Sequence, residues 1–479
     1  MEIMVSSQVS IESPPEEWVA LAEKELKVVN PEYVRVVRFA SRFAERPEKH
    51  ILGYEISQNT LIVPRAWFFK TLWKKGMPFQ DFTIVNNSVI KDSARERLTL
   101  LPHQLEAVTA ALDRVNLNDQ EHIPADFSIV LATSAGKTIT GLALAYACNT
   151  PTLIIVPTQE VEKAWLLDAE KYLGLKPAEI GRFRAATVRH GMRLTIASLQ
   201  TVIRRHPDEW NTKYGLVIFD ELHKLNINKF VLAAKNCRAA LRVGMTATLK
   251  RSDKTMPAIL WHVGEPVHSD TTPRNSVPLN YHGVIRAKAL ILPKDAEWND
   301  LLVKIVEDEE RNDMIVALIQ RILRLYGGGI LVTSCRVEHI KRLVEKLTAA
   351  GISTAMLIGA SEDREALYED ILAGKYRVTV ATQRIVQEGA SNPRWHHLVL
   401  TTPFNDSGVM EQVKGRPIRK EEGKKEAFLW DIIDNHPIAR STGRSRFYAV
   451  RKHIAAKRWI NQHYDHSLKT HVFTGDPRG

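Results

Sequence analysis

The sequence predicts an α/β chain with two tandem parallel-sheet units, preceded by a small α+β domain and followed by a short, helical, basic tail. Three observations lead there. In residues 96–265 and again in 316–435, short continuous apolar runs alternate with amphipathic stretches, the pattern of parallel strands buried between helices. Polar residues with chemical potential directly follow several of those runs, where ligands sit in such sheets. A 44% hydrophobic content over 479 residues suffices for roughly two to four cores.

Residues 1–95 read as an accessory α+β domain. A strand is expected at 60–63, then Pro64 and a helical stretch with Trp67, Phe68, Leu72 and Trp73 beside Arg65, Lys70, Lys74 and Lys75. Such interleaving can form a nucleic-acid surface, with lysines on phosphates and rings on bases. It also describes an amphipathic helix with aromatics in the core and lysines in water, which is the commoner arrangement. Residues 92–97 are charged and read as a linker. In 96–265 strands are expected at 129–131, 152–156, 194–197, 216–219 and 242–244, with a helix at 160–172. Residues 266–315 contain Pro266, Pro273, Pro278 and Pro293 and read as a connector. In 316–435 the expected strands are 330–334, 353–358, 378–381, 397–401 and 428–433, and helices fall at 337–349, 363–372 and 410–413. The tail, 436–479, holds nine Arg and Lys against two acids, with Phe447, Tyr448, Trp459, Tyr464 and Phe473 interleaved. A helix over 448–463 packed on the second unit, with its basic face in water, competes there with a surface that grips DNA.

The net charge of +11 points to a polyanionic partner, nucleic acid being the usual one. Cys148, Cys237 and Cys335 are far apart, without metal-like spacing. They read as reduced core residues of a cytoplasmic protein, not as a disulfide frame or a zinc site. No run reaches the roughly 18 apolar residues of a membrane helix, and the N-terminus lacks a signal-peptide pattern. No membrane partner is expected. The sequence sets no oligomeric state, and a monomer fits it.

The chemistry concentrates around 129–141. An apolar run leads into Ala132, Thr133, Ser134, Ala135 and Gly136, and Lys137 and Thr138 then open an apolar helical segment. This is the layout of a phosphate-binding loop. Backbone N–H groups ahead of a helix point at an anion, Lys137 reaches the β/γ-phosphates, and Thr138 ligates Mg²⁺. Leu131 stands where the strict pattern has glycine. Asp220 and Glu221 follow the run 216–219, so Asp220 is placed to hold Mg²⁺ and Glu221 to activate water. Gln104, just ahead of the loop, carries a carboxamide able to read an adenine edge. Thr246 and Thr248 end another run and could relay nucleotide state. Pro157, Thr158, Ser198, Gln200 and Thr201 also follow strands, where hydroxyls and amides can hold the phosphates of a bound strand. In the second unit Arg416 and Arg419 are three apart and can address one anion; a guanidinium brought to a γ-phosphate is worth roughly 10³ to 10⁵ in rate. Pro417 between them predicts a helix end or tight turn.

Taken in order, Gln104, 132–138, 156–158, the Asp220-Glu221-Leu222-His223 run, 246–248, 388–391 and 412–419 resemble the motif series of superfamily 2 helicases. The similarity spans roughly 98–434. Trp165, eight residues after Pro157, and the run Gly389-Ala390-Ser391 are similar to the DNA branch-processing groups, the UvsW-type phage helicases and the XPB-like and RecG-like families. The resemblance implies two RecA-like lobes with ATP and Mg²⁺ in the cleft between them. Lys137, Thr138, Asp220 and Glu221 come from the first, Arg416 and Arg419 from the second, and His223 and Gln412 link them. It implies a nucleotide contact at Gly389 and a nucleic-acid track past Thr158, 198–201, Ser334 and Thr382. Val413 replaces an arginine common in the family after the motif's glutamine, and Ser391 replaces a common aspartate.

The expected function is therefore an ATP-dependent DNA helicase or translocase that remodels forks and four-way junctions in recombination, replication or repair. The alternatives are an RNA helicase and a helicase-like motor subunit of a nuclease or restriction complex.

Overall fold

The computed structural model describes the chain except at residues 40–45, 87–97, 133–134, 184–187, 192, 252, 273–276, 294–295, 360–363, 389–391, 405–406 and 476–479. Inside helices, the side chains of 38–39, 159–160, 364–365, 387–388, 407–408 and 411–412 are likewise not described. The chain divides into two compact units, Met1–Arg274 and Asn275–Gly479.

The first unit is organised around an eight-stranded sheet. Its spatial order is Val188–Arg189, Gly181–Phe183, Leu194–Ser198, Thr152–Val156, Leu216–Phe219, Leu241–Thr246, Ala125–Leu131 and Pro266–Asp270. All neighbours run parallel except the first pair. The central strands are buried along their length, as continuous apolar runs require when helices cover both faces. Parallel register brings Ser128 beside Gly244 and Phe219 beside Ile155, so the ends after Leu131, Val156, Ser198, Phe219 and Thr246 lie along one rim.

The N-terminal segment forms its own five-stranded sheet, in the order Glu55–Ser57, Thr60–Pro64, Gln8–Glu12, Glu2–Val5, Gln80–Asp81. It shares one hydrophobic core with a face of the larger sheet, in which Val63, Phe68 and Leu72 meet Phe219, Phe230 and Ile259. The helix Arg65–Thr71 resolves the two readings of the aromatic and basic stretch. Trp67 and Phe68 are buried, Lys70 pairs with Glu265 at 2.7 Å and Lys75 with Glu121 at 3.5 Å. Arg65 lies fully buried and grips Asp126 through two N–H donors at 2.6 and 2.8 Å, while Arg242 takes the same carboxylate from the other side. Two guanidiniums hold Asp126 below its ordinary pKa although burial pushes the other way. This triad ties the accessory domain to the strands Ala125–Leu131 and Leu241–Thr246.

The second unit holds another eight-stranded sheet, ordered Thr354–Leu357, Val378–Thr382, Gly329–Ser334, Trp395–Leu400, Ala427–Asn435, Leu279–Ala289, Ile454–Asp465 and Thr470–Thr474. Only the last pair is antiparallel. A buried ion pair braces it: Arg446 donates to both oxygens of Asp431, which also accepts from the Tyr281 hydroxyl at 2.9 Å.

Three expectations change. Residues 266–315 are more than a connector, since Pro266–Asp270 closes the first sheet and Leu279–Ala289 enters the second. Prolines at strand starts and edges read as loop signals in sequence but are tolerated there. In the tail, Pro437–Val450 is a helix, but 448–463 does not continue it; Ile454–Asp465 is a strand paired with Leu279–Ala289. Its partner is remote in sequence, and partner choice decides short aromatic-rich stretches. Cys335 is exposed, at the end of a strand, whereas Cys237 is buried. Among the described residues no helix is long and apolar enough to cross a membrane.

Candidate nucleotide site

The site is built where Ala125–Leu131 gives way to the helix Lys137–Ala147. Gly136 caps that helix with φ +85°, a left-handed conformation glycine adopts without strain. A Cβ there would stand 2.2 Å from Gln104 Nε2. The loop is tethered from below: Gln104 Nε2 donates to the Ala135 carbonyl at 3.1 Å, His103 Nε2 lies 2.9 Å from the same oxygen, and Gln104 Oε1 accepts from the Leu101 N–H. Gln104 is thus brought to the loop, with Nε2 on Ala135 and Oε1 on the N–H that starts its own helix. Lys137 and Thr138 occupy the first helical turn, half-buried. Thr133 and Ser134 lie outside the described residues.

Two strands away, the end of Leu216–Phe219 presents Asp220 and Glu221. Asp220 is 4% exposed. Its Oδ2 accepts the indole N–H of Trp165 at 2.7 Å, and its Oδ1 accepts the Glu221 backbone N–H at 2.8 Å. Burial, reinforced by the neighbouring Glu221 carboxylate, pushes Asp220 up to about 6, against the opposing pull of Lys137 and Trp165. Glu221 sits at φ +50°, a backbone position rare for a side-chain-bearing residue and found at functional turns. That turn aims its carboxylate at Lys137, with Nζ to Oε1 at 3.7 Å. The loop and the acidic pair therefore face each other.

From Glu221 the contacts continue into the next strand. His223 Nδ1 lies 3.4 Å from Glu221 Oε2 and 2.9 Å from Thr246 Oγ1. Thr246 spends its own hydroxyl proton on the Thr248 carbonyl, so Nδ1–H donates to Thr246. Burial pushes His223 down to about 4 despite the Glu221 carboxylate, which keeps the ring neutral near pH 7. Arg251 donates to the carbonyls of Leu222, His223 and Leu225 and pairs with Asp253 at 2.6 Å, fixing the turn from behind.

Sequence reasoning missed two of these parts. Trp165 was legible only as a resemblance, yet its ring lies against Gly141, where a Cβ would come within 2.5 Å, and its N–H holds Asp220. The glycine in the middle of an apolar helix was the available signal. Arg251 had only Asp253 two residues on, and its other partners are main-chain carbonyls.

The residues expected to touch nucleic acid divide. Thr158 and Thr382 are half-buried at the strand ends and start helices, accepting from Val161 N and Ile385 N at 3.4 Å. Pro157 and Thr201 are half-buried and Gln200 is exposed, where it accepts from Lys229. Ser198 is turned inward, capping Leu199–Val202 and bonded to Thr201 Oγ1 at 2.8 Å. Ser334 is fully buried, 3.0 Å from His339 Nδ1, with Arg336 N donating to it. Both hydroxyls are turned inward, engaged by the protein's own turns. A hydroxyl that caps a local turn and one that meets a ligand look alike in sequence.

In the second unit the helix Ser407–Lys414 ends before Arg416, whose N–H donates to Val413, and Arg416 and Arg419 follow in the expected turn region. Arg416 is buried and Arg419 half-buried. Gly389 and the side chain of Gln412 lie outside the described residues.

This geometry can now be set beside known proteins. The family model described as Type III restriction enzyme, res subunit, matches residues 97–251. The Escherichia phage T5 protein named Probable helicase D10 is 26% identical over 392 residues, covering 78% of this chain and 83% of its own. The resemblance is to superfamily 2 helicases, along most of the chain. The DNA 3'-5' translocase XPB2 of Sulfurisphaera tokodaii is 24% identical, covering 71% of this chain and 82% of its own. The ATP-dependent DNA helicase uvsW of phage T4 is 22% identical over 71% of this chain and 73% of its own. Two solved structures share the fold. One is a fragment of an HsdR subunit of a type I restriction enzyme from Vibrio vulnificus (TM-score 0.58, 15% identity, 78% of this chain, 72% of that one). The other is Dbp5 of S. cerevisiae bound to RNA and ADP BeF3 (0.54, 12%, 76% and 95%). The chain is thus similar to helicases along most of its length, and its fold is that of tandem RecA-like lobes.

Proposed function

We propose that the chain is an ATP-dependent DNA helicase or translocase that remodels branched DNA such as forks and four-way junctions. One observation supports it above the others. The glycine-capped helix start at Lys137, the Asp220–Glu221 pair and the His223–Thr246 contact form one hydrogen-bonded and ion-paired series along a single sheet rim. In this reading Lys137 and the loop amides bind the phosphates, and Glu221 orients water and accepts its proton. Thr246 receives the state of that site through the neutral His223. Arg416 and Arg419 are assigned, from the resemblance of 412–419, to offset charge developing on the phosphoryl group. The domain limits follow the same reading, with 1–95 as an accessory domain in front of the motor.

Mg²⁺ fits the donors present. Asp220 is buried and held above the usual carboxylate range beside a second carboxylate, a state that a cation relieves. Asp220 and Thr138 would hold it, and among the described residues no cluster of three His, Cys, Asp or Glu could hold a metal alone. Nucleotide phosphates would have to complete the shell, as is usual for this ion. When bound, Mg²⁺ would neutralise charge on the β- and γ-phosphoryl oxygens.

A second reading has its own support. The matching family model is named for a restriction subunit and a structural neighbour is an HsdR fragment, which favours a motor subunit serving a nuclease complex. The steady-state ATPase rate of the purified chain decides, measured alone and with single-stranded DNA, duplex, a four-way junction and single-stranded RNA at one salt concentration. Strongest stimulation by the junction supports branch remodelling. Stimulation by plain duplex alone favours the restriction-type motor, and by RNA alone overturns the DNA reading.

A further inference from the structure

The tail carries a surface that the motor chemistry does not use. From His436 to Tyr464 the chain contains no aspartate or glutamate. On the helix Pro437–Val450 and the turn after it, Arg440, Arg444, Tyr448 and Arg451 recur at spacings of four, four and three, and all are exposed. Residues at those intervals share one helical face. The strand Ile454–Asp465 adds Lys457 and Trp459 on the face turned to that helix, with Lys452 in the turn between, and these too are exposed.

Ring contacts join helix and strand into one surface. Trp459 packs at 5.6 Å against Phe447, Phe447 at 6.0 Å against Tyr448, and the Arg451 guanidinium lies 4.7 Å over the Tyr448 ring. Lys457 Nζ stands 5.6 Å from the Phe447 ring. At the centre Tyr448 is 57% and Trp459 42% exposed. Gly283 allows this, because a Cβ there would meet the Trp459 ring at 2.4 Å.

An ordinary solvated face would look different, and the same unit provides the contrast. On Val337–Ala349, Arg342 pairs with Glu309 and Lys346 with Glu309 and Asp313. Among the described residues, Arg440, Arg444 and Lys452 have no such acidic partner. A single-sign field with exposed rings at its centre complements a polyanion bearing flat, apolar groups. Among the described residues, the strand edge opposite Leu279–Ala289 is paired over Asn461–Asp465 alone, by Thr470–Thr474, and the edge along 454–460 has no strand partner. Lysine and arginine along such an edge discourage strand addition, which argues against an extended peptide as occupant.

We propose that the exposed face of Pro437–Val450 and the edge at 454–460 form a nucleic-acid site, which holds a single strand by its phosphates while bases stack on Tyr448 and Trp459. This rests on the DNA reading above and adds a grip outside the strand-end residues of the motor.

The test uses the full chain and a fluorescent oligo-dT of about 20 nucleotides, long enough for one such site. Arg440→Ala/Arg444→Ala/Lys457→Ala should weaken binding about tenfold or more and reduce the log–log salt slope by about 2, at roughly 0.7 per single-strand phosphate contact. Tyr448→Ala should weaken binding with an unchanged salt slope, because stacking releases no counterions. Both variants should keep the basal ATPase rate and melting temperature. If wild type binds DNA and is stimulated by it while the triple variant matches its affinity and salt slope, this surface is overturned and the motor reading stands. If wild type neither binds nor responds to DNA, both fall.

Discussion

Trp165 donates its indole N–H to Asp220 at 2.7 Å, across 55 residues of sequence, and does so with no exposure of its ring. The carboxylate assigned to the metal is therefore held from below by a side chain on a neighbouring helix. Trp165→Phe keeps the ring against Gly141 and removes only the donor. A buried hydrogen bond to a charged group contributes about 1.5–3 kcal/mol, so ATP turnover should drop about tenfold or more. The Mg²⁺ concentration for half-maximal rate should rise, and saturating Mg²⁺ should restore part of the lost turnover. Unchanged Mg²⁺ dependence would remove Trp165 from the positioning of Asp220.

Of the acidic pair, Glu221 stands within ion-pair range of Lys137, from a backbone position at φ +50°. Glu221→Gln preserves shape and loses the proton acceptor. Turnover should fall by at least 10² while a fluorescent ATP analogue still binds, in keeping with typical losses of general-base function. Lys137→Ala should abolish both turnover and analogue binding; retained hydrolysis would sink the nucleotide-site assignment.

Gly136→Ala is expected to fail for two reasons acting together. The residue needs φ +85°, and its new methyl carbon would lie 2.2 Å from Gln104 Nε2. The loop must shift or Gln104 must let go of Ala135. Gln104→Ala relieves the clash but leaves the strain, so the double variant should recover part of the lost ATPase activity. No recovery would mean that the backbone conformation alone sets the loss.

Asp126 supplies the pH prediction. Its folded pKa is depressed by Arg65 and Arg242, so its contribution is fully present above the ordinary carboxylate pKa of about 3.9 and is lost as pH falls through the folded value. Asp126→Asn leaves two buried guanidiniums without their counter-charge and should destabilise the first unit by about 3–5 kcal/mol at pH 7. Urea unfolding of wild type and variant from pH 7 downward should show the gap narrowing only in acid. A constant gap would mean that Asp126 acts through shape and not charge.

The strand-helix alternation of both units and the line of functional residues along strand ends were legible because continuous apolar runs and a Gly-Lys-Thr turn are local signals. Lys137, Asp220 and Glu221 were expected as a set, each shortly after an apolar run, and the structure brings them together on one rim. What stayed hidden depends on contacts between distant segments. Nothing local in Ile454–Asp465 says that it pairs with Leu279–Ala289, and nothing local distinguishes Ser334, which serves His339, from Thr382, which stays half-exposed at its strand end. Gln104 lies beside the loop as expected, but its bond to Ala135 was not legible, because a carboxamide can serve a nucleotide or a loop with the same atoms.

The position of Leu279–Ala289 also governs how this polypeptide is made. It is the first strand of the second unit to leave the ribosome, yet both of its neighbours, Ala427–Asn435 and Ile454–Asp465, are synthesised well over a hundred residues later. An eleven-residue strand must wait, with both edges unsatisfied, for residues 427–465 to be synthesised. Such long-range pairing is slow and exposes the nascent chain to association in the meantime. A stop codon at 451 would leave one of those edges bare for good, so truncated products should collect in the insoluble fraction.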